Sequence, residues 1–253
     1  MIKGVTFDWW HTIAETPWPD YDAHMRRLRV ERIREAFSVR GLVVEPEVLY
    51  EAYDRHTELL ARKWKDYVDL NGEEQIQAFL ELAGLDANDA DLLDAIAASF
   101  GDAIRTKLPI LYPHIGSTLA TLKREGYRIG LISNTGRTWG RFLRPIQDDM
   151  GIGKYFDDRV FSDELGIRKP EPRIFEAALE HLDLRPDEVV HIGDDLVADV
   201  TGAKALGIRT VWFDVGHESE HAVHNPSSAP TAPPDAEIHD HKELLDVLER
   251  WRP

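Results

Sequence analysis

The chain has 253 residues and a formal net charge of −16 at pH 7, with 43% hydrophobic and 30% charged residues. Such a length and composition are typical of a folded protein with a sizeable core. A surface of this charge repels phosphate backbones, so we expect neither nucleic acid nor anionic membranes as partners. The sequence contains no cysteine, which excludes disulfides, thiolate zinc sites and a cysteine nucleophile.

The first segment predicts a buried β-strand. Residues 2–9 form a short apolar run, rich in β-branched and aromatic side chains, with Asp8 at its end. No signal-peptide pattern precedes this run, and no apolar run in the chain approaches the length of a transmembrane helix. We therefore expect a cytoplasmic location.

From about residue 21 to residue 107 the pattern predicts only helices. After two prolines at positions 17 and 19, apolar residues recur at helical spacing in four stretches. The four stretches are residues 26–37, 47–64, 73–82 and 92–105. This part of the chain is therefore predicted to be a four-helix insert.

After Pro109 strand-like and helix-like patterns alternate. The predicted strands are residues 128–133, 189–192 and 209–213, and the predicted helices are residues 117–125, 172–182, 197–206 and 241–251. Such alternation indicates a parallel sheet covered on both faces. We therefore predict a doubly wound, Rossmann-like α/β core (residues 1–17 and 108–253) with an inserted helical cap (residues 18–107). A Pro-, Ser- and Ala-rich stretch at 225–234 predicts a loop.

Polar side chains follow three of the predicted strands. Asp8 ends the first strand, Ser133 and Asn134 end the second, and Asp194 follows the third. Ligands in open α/β sheets bind beyond the carboxyl ends of the strands, so these groups are expected to converge, together with Lys169 from a loop. Carboxylates able to hold a divalent cation, a hydroxyl, an amide and a lysine suit phosphoryl transfer.

Four motifs, in order along nearly the whole chain, resemble those of the haloacid dehalogenase superfamily. They are Phe7-Asp8-Trp9-Trp10-His11-Thr12, Leu131-Ile132-Ser133-Asn134-Thr135, Arg168-Lys169-Pro170-Glu171-Pro172 and His191-Ile192-Gly193-Asp194-Asp195-Leu196-Val197-Ala198-Asp199. The resemblance implies that Asp8 is the nucleophile. It also implies that Ser133, Asn134 and Lys169 bind the transferring phosphoryl group, with Ser133 and Lys169 stabilising it during catalysis.

The fourth motif implies a metal site. By resemblance, Mg²⁺ is held by Asp8, Asp194 and the backbone carbonyl of Trp10. Asp195 is either a further ligand or the N-cap of the following helix. Asp199 is expected to orient a ligand or a metal-bound water instead of binding the metal itself.

One position departs from the phosphatases of this family. They carry a second aspartate two residues after the nucleophile as general acid and base, and here that position is Trp10, which cannot transfer a proton. Family dehalogenases also have an aromatic residue there, but they lack the metal motif that Gly193-Asp194 retains. A third branch, the phosphonate hydrolases, relies on a cap lysine, and Lys63 and Lys65 lie in the predicted cap.

Other candidate residues have two interpretations each. His11 either supplies the proton that Trp10 cannot, since its ordinary pKa lies near neutrality, or points elsewhere. Thr12 is expected to bond local backbone. Arg26, Arg27 and Arg29 on the first cap helix form either a solvated face or a site that selects anions.

The leading prediction is a Mg²⁺-dependent phosphatase that acts on a small phosphorylated metabolite through an aspartyl-phosphate at Asp8. Without a general acid and base such an enzyme loses about 10²–10⁴-fold in rate, least for leaving groups that depart without a proton. The alternatives are a dehalogenase-like hydrolase that needs no metal and a non-catalytic protein that binds a phosphate-bearing ligand.

Overall fold

The computed structural model describes residues 1–214, residue 216 and residues 230–252. Within these residues there are eight strands: β1 (Gly4–Phe7), β2 (Ala14–Glu15), β3 (Ile110–Leu111), β4 (Arg128–Ser133), β5 (Asp158–Phe161), β6 (Val189–Gly193), β7 (Arg209–Phe213) and β8 (Ala236–Ile238). Six of them form a sheet in the order β5-β4-β1-β6-β7-β8, in which every pairing is parallel.

The same residues form ten α-helices: α1 (Tyr21–Ser38), α2 (Pro46–Lys65), α3 (Gly72–Ala83), α4 (Ala90–Gly101), α5 (Ile115–Arg124), α6 (Gly140–Asp149), α7 (Ser162–Leu165), α8 (Pro172–Leu182), α9 (Gly202–Lys204) and α10 (Glu243–Arg250). A π-helical turn, Leu196–Thr201, precedes α9. Proline begins both α2 and α8, where its missing N–H costs no hydrogen bond. None of these helices combines the length and apolar character needed to cross a membrane.

Helices cover both faces of the sheet. Buried side chains of α5, α6 and α10 pack with one set of strand residues, and those of α8 and α9 pack with another. The central strand β1 is buried along its whole length, because it has a neighbouring strand on each side and helices above and below. The prediction of a doubly wound parallel sheet is confirmed.

The helical insert, defined here as α1–α4, enters and leaves the core through β2 and β3, which pair with each other as an antiparallel ribbon. Its helices share a hydrophobic cluster of their own, to which Trp139 of the core also belongs. The predicted helical stretches correspond to α1–α4, with α4 followed by the short 3₁₀ helix Asp102–Thr106. A division into domains at residues 17/18 and 107/108 stays our proposal.

The sequence did not reveal several elements. The ribbon strands β2 and β3 have two residues each, β5 begins with the charged pair Asp158-Arg159, and α6 contains Pro145, a residue that disfavours helix interiors. All of these are held by tertiary contacts more than by local pattern. Of the loop predicted at 225–234, residues 225–229 lie outside the described part of the chain.

Close packing between the insert and the core generates a testable expectation at Gly101. A Cβ atom on Gly101 would lie 2.0 Å from a ring carbon of Phe142 in α6. We expect Gly101→Ala to lower the free energy of unfolding by about 1–3 kcal/mol, because the packed ring cannot yield without strain. Denaturant unfolding measures the change.

Gly116→Ala is the matched control, since Gly116 lies in α5 and an added Cβ there would meet nothing within 4 Å. This change should raise stability by up to about 1 kcal/mol through helix propensity alone. Equal effects of the two substitutions would contradict the packing described for the junction.

Candidate active site

The carboxyl edge of the sheet gathers the predicted site residues. Phe7 of β1 is in register with Leu131 of β4 on one side and with Ile192 of β6 on the other. Asp8 continues β1 by donating its backbone N–H to the carbonyl of Ile192 at 2.9 Å. Asp8 therefore leaves the sheet between the end of β4 at Ser133 and the end of β6.

Lys169 connects two carboxylates at this edge. Its Nζ donates to Asp8 Oδ1 at 2.6 Å, to Asp199 Oδ1 at 2.7 Å and to the carbonyl of Ile132 at 2.8 Å. The lysine is only 3% exposed, so these contacts are shielded from solvent. Asp194 completes the group, since one oxygen each of Asp8, Asp194 and Asp199 lies within 4.8 Å of the others.

Burial and charge set the ionisation of the three aspartates. Burial raises the pKa of Asp8 to about 7, and Lys169 offsets only part of this effect. Burial and the charge of Asp8 also hold the pKa of Asp194 well above its ordinary value. For Asp199 burial acts in the same direction, but Lys169 and the hydrogen bond with His191 outweigh it and lower the pKa. Asp199 therefore stays ionised, whereas Asp8 and Asp194 resist carrying charge together.

These side chains fit a divalent cation. Three carboxylates face one lysine, so the group carries an excess of negative charge when all are ionised. Oxygen donors of this kind are the ligands that Mg²⁺ prefers, and a bound cation would favour the ionised forms of Asp8 and Asp194. Asp194 is held in place by Thr12, whose hydroxyl donates to Asp194 Oδ1 at 3.4 Å, and by Trp212, whose Nε1 donates to the Asp194 carbonyl at 2.7 Å.

The turn after β6 directs Asp199 toward Lys169. The Asp195 carboxylate caps this turn by accepting from the N–H groups of Val197 and Ala198, both at 2.8 Å, which supports the N-cap interpretation of Asp195. The turn is π-helical, a conformation that often occurs at functional sites. Gly193 leaves the room that Asp199 needs, because a Cβ on Gly193 would lie 2.1 Å from Asp199 Cγ.

Ser133 and Asn134 have different environments. The Ser133 hydroxyl is fully buried and has no hydrogen-bond partner among the described residues. Asn134 instead holds the backbone of Lys169, since its Oδ1 accepts from the Lys169 N–H at 2.8 Å and its Nδ2 donates to the Lys169 carbonyl at 3.2 Å. Asn134 thus positions the lysine, and its direct contact with substrate stays a prediction.

The first motif contributes packing and one unexpected contact. Trp9 is fully buried, and Trp10 is half-buried against the same hydrophobic core. His11 adopts a left-handed backbone conformation, with φ +56°, at the start of the turn toward β2. The prediction that the Thr12 hydroxyl bonds local backbone is wrong, because the fold brings Asp194 within its reach.

The basic residues of the insert that the sequence singled out have different environments. Arg26 forms a bidentate ion pair with Asp54, and Arg27 is exposed, whereas Arg29 turns toward the core and donates to Thr138 Oγ1 at 3.2 Å. Lys63 and Lys65 are exposed near the end of α2.

Sequence reasoning missed a buried ion pair next to Lys169. Arg168 donates to the Asp69 carboxylate at 2.7 Å and stacks on the Trp64 ring at 4.3 Å. Asp69 lies in the loop between α2 and α3, and it also accepts from the Ser162 hydroxyl and from Trp64 Nε1. This loop of the insert is therefore fixed to the segment that carries Lys169. The third motif draws attention to Arg168 because it stands next to Lys169. Its partner Asp69, however, lies 99 residues away in the sequence.

Comparison with known proteins identifies the family. A model of haloacid dehalogenase-like hydrolases matches residues 2–207. The match covers most of the chain, and the protein belongs to this family of hydrolases and is an enzyme of that kind.

Similar proteins include phosphatases and a dehalogenase. The chain is 28% identical to glyceraldehyde 3-phosphate phosphatase of Methanopyrus kandleri, over 98% of this chain and 97% of that protein. It is 37% identical to the enzyme of the same name from Pyrococcus furiosus, but over 54% of each chain, about half of that relative's length. Among solved structures, a 2-haloacid dehalogenase from Pseudomonas syringae pv. Tomato aligns over the full length of both chains, with a TM-score of 0.66 and 25% identity.

The buried pair between Asp69 and Arg168 is expected to stabilise the whole protein. We expect Asp69→Asn to lower the free energy of unfolding by about 3–5 kcal/mol, because it leaves the guanidinium buried without a compensating charge. The side chains of Arg168 and Asp69 are 12% and 0% exposed. Denaturant unfolding of the variant measures the loss.

The control is Asp54→Asn, which removes the carboxylate of the exposed pair with Arg26 and should cost no more than about 1 kcal/mol. A similar small cost for Asp69→Asn would mean that the buried pair does not hold the insert against the core.

Proposed function

We propose that the protein is a Mg²⁺-dependent phosphatase that acts on a small phosphorylated metabolite, with Asp8 as the nucleophile. The observation that carries this proposal is the contact of Asp8 with Lys169 beside Asp194. It supplies a buried carboxylate, a cation for the phosphoryl oxygens and a second metal-binding carboxylate at one sheet edge. The relatives named as phosphatases support the same reaction class.

The proposed reaction has two displacements at phosphorus. The Asp8 carboxylate oxygen attacks phosphorus, the bond from phosphorus to the ester oxygen breaks, and the leaving group departs with that electron pair. Water then attacks the aspartyl-phosphate, which releases phosphate and restores the carboxylate of Asp8. Lys169 and the buried hydroxyl of Ser133 stabilise charge on the transferring group in both steps.

The metal is proposed to be held by Asp8, Asp194 and the backbone carbonyl of Trp10. When bound, it neutralises charge between the phosphoryl group and the aspartates. Asp199 is proposed to contribute indirectly, because it accepts a hydrogen bond from Lys169 and orients it. His191 and the backbone N–H of Asp195 hold the Asp199 carboxylate in place. Glyceraldehyde 3-phosphate, for which both phosphatase relatives are named, is the first substrate to test.

The half-buried Trp10 favours a second candidate, a dehalogenase-like hydrolase. An aromatic residue at this position is shared with family dehalogenases, and a dehalogenase is among the similar structures. Such an enzyme would use Asp8 to displace halide at carbon and would need no metal. Halide release from 2-haloacids without Mg²⁺ would favour this alternative over the phosphatase.

The direct test is a screen of phosphorylated metabolites and 2-haloacids, with and without Mg²⁺. We expect phosphate release that depends on Mg²⁺ and that Asp8→Asn abolishes, because the substitution keeps the shape but removes the attacking charge. Thermal unfolding should show that the variant is folded. Activity of the variant comparable with the parent, at matched stability, would remove the covalent mechanism.

The metal assignment has its own test in calorimetry. Asp194→Ala should weaken Mg²⁺ binding strongly, since it removes one of the carboxylates that face each other at the sheet edge. Asp187→Ala, which removes an exposed carboxylate on the protein surface, is the control and should bind Mg²⁺ as the parent does. If the parent binds no Mg²⁺, or if Asp194→Ala binds it equally well, the assignment fails.

Trp10 should determine which esters are cleaved. Without a general acid, an alkoxide leaves poorly, whereas a phenolate or a carboxylate leaves as a stable anion. We therefore expect aryl and acyl phosphates to be cleaved far faster than alkyl phosphates. Trp10→Asp should raise alkyl-phosphate turnover by up to ~10²-fold, the lower bound of general acid and base catalysis.

Trp10→Asn is the matched control, because it removes the indole equally but adds no group that transfers a proton. Loss of a fully buried tryptophan costs about 3–5 kcal/mol and loss of the half-buried Trp10 costs less, so the rates are compared at temperatures where both variants are folded. Equal turnover of alkyl and aryl phosphates by the parent, unchanged in His11→Ala, would show that another residue supplies the proton.

A further inference from the structure

Two arginines meet where the insert contacts the loop that follows β4. Arg29 of α1 donates to the Tyr53 hydroxyl at 3.1 Å, to Thr138 Oγ1 at 3.2 Å and to the carbonyl of Phe100 at 3.0 Å. Arg137 lies over the ring of the same Tyr53, with its Cζ 4.1 Å from the ring centroid. Tyr53 thus brings one guanidinium from the insert and one from the core loop together.

Every direct partner of the two arginines is neutral. Arg137 Nη2 donates to Thr57 Oγ1 at 2.7 Å and approaches His56 Nδ1 at 3.4 Å, while its buried Nε has no hydrogen-bond partner in the described part of the chain. Burial and the nearby Arg137 charge lower the pKa of His56 to about 3, so the imidazole is uncharged. The Arg137 guanidinium therefore has at least one N–H group, at Nε, that makes no hydrogen bond to a described residue and can donate to a further acceptor.

Within the described residues, no carboxylate oxygen lies within 4 Å of either guanidinium. The carboxylates of Asp22 and of Asp54, which is bonded to Arg26, raise the pKa of Arg137, but by less than burial lowers it. By contrast, Lys169 and Arg168 each contact a carboxylate. In the part of the chain that the structure describes, no ion pair therefore balances the two positive charges at the junction.

The two positive charges shift the pKa of Tyr53 and of Arg137 itself. Burial lowers the pKa of Arg137, and the charge of Arg29 adds to the shift. Burial alone would raise the pKa of Tyr53, but the two arginines outweigh it and lower that pKa. Two positive charges held close together repel each other, and an anion that binds between or beside them is stabilised by both.

The junction is close to the phosphate-binding residues along the chain. Arg137 follows Ser133 by four residues, a separation that an extended chain spans in at most ~14 Å. Thr135 lies between these two residues, and its carbonyl accepts a hydrogen bond from Arg168. This loop therefore also contacts the segment that carries Lys169. One loop thus links Ser133, where the substrate phosphate is proposed to bind, to the arginine pair.

We infer that Arg29 and Arg137 form a second anion-binding subsite, which selects phosphate esters that carry a further carboxylate or phosphate group. The inference rests on the proposed phosphatase function and names its substrate class. It predicts that an ester with a second anionic group is preferred to an ester of the same size whose remainder is uncharged.

The test compares 3-phosphoglycerate with glyceraldehyde 3-phosphate, which differ by a carboxylate in place of an aldehyde. We expect the parent to have the higher kcat/KM for 3-phosphoglycerate. Arg137→Gln should reduce the ratio of the two kcat/KM values by about tenfold or more, mainly through KM, and Arg137→Lys should restore part of it. Arg55→Gln, a change of an exposed arginine on α2, is the control and should leave the ratio as it is in the parent.

Binding to Asp8→Asn separates this inference from the proposed function, since it needs no turnover. Calorimetry with Mg²⁺ should show tighter binding of 3-phosphoglycerate than of glyceraldehyde 3-phosphate, and the added Arg137→Gln change should abolish the difference. If that holds while the parent hydrolyses no phosphate ester, the subsite stands and the phosphatase proposal fails. If neither the binding preference nor the kcat/KM ratio responds to folded Arg137→Gln, the subsite is overturned.

Discussion

The ammonium group of Lys169 lies between the carboxylates of Asp8 and Asp199, and the rest of the site depends on this contact. Three aspartates converge at one edge of a parallel sheet, where burial would otherwise drive them toward their protonated forms. Lys169 keeps Asp199 ionised and partly offsets the burial of Asp8. The remaining negative charge, shared by Asp8 and Asp194, is what a divalent cation would neutralise.

Several features of the fold serve to position that lysine. Asn134, directly after the sheet, holds the Lys169 backbone through both ends of its amide. The preceding residue, Arg168, is bonded to Asp69 in the helical insert. A shift of the insert relative to the core is therefore expected to move Lys169, because Lys169 directly follows Arg168 in the sequence. The insert thereby helps to position Lys169, independently of any contact that it makes with a substrate.

Much of the fold and of the site could be predicted because the relevant signals are local. The strand β4 and the helix α8 have the bounds that their apolar patterns predict, and Asp8 was located because it follows a buried strand. The ion pair between Asp69 and Arg168 could not be found this way, since neither residue belongs to a periodic pattern and tertiary folding alone brings them together. The same reason explains why Arg29 could not be distinguished from Arg26 and Arg27, which lie in the same short stretch of the sequence.

Chemical trapping of the aspartyl-phosphate tests whether Asp8 attacks phosphorus. With Trp10 in place of a general base, hydrolysis of the aspartyl-phosphate should be slow, so this intermediate should accumulate during turnover of an aryl phosphate with Mg²⁺. Rapid acid quenching followed by mass spectrometry of the peptide that contains Asp8 measures it. We expect phosphate bound to Asp8 in the parent and none in Asp8→Asn. Turnover during which Asp8 remains unmodified throughout would contradict it.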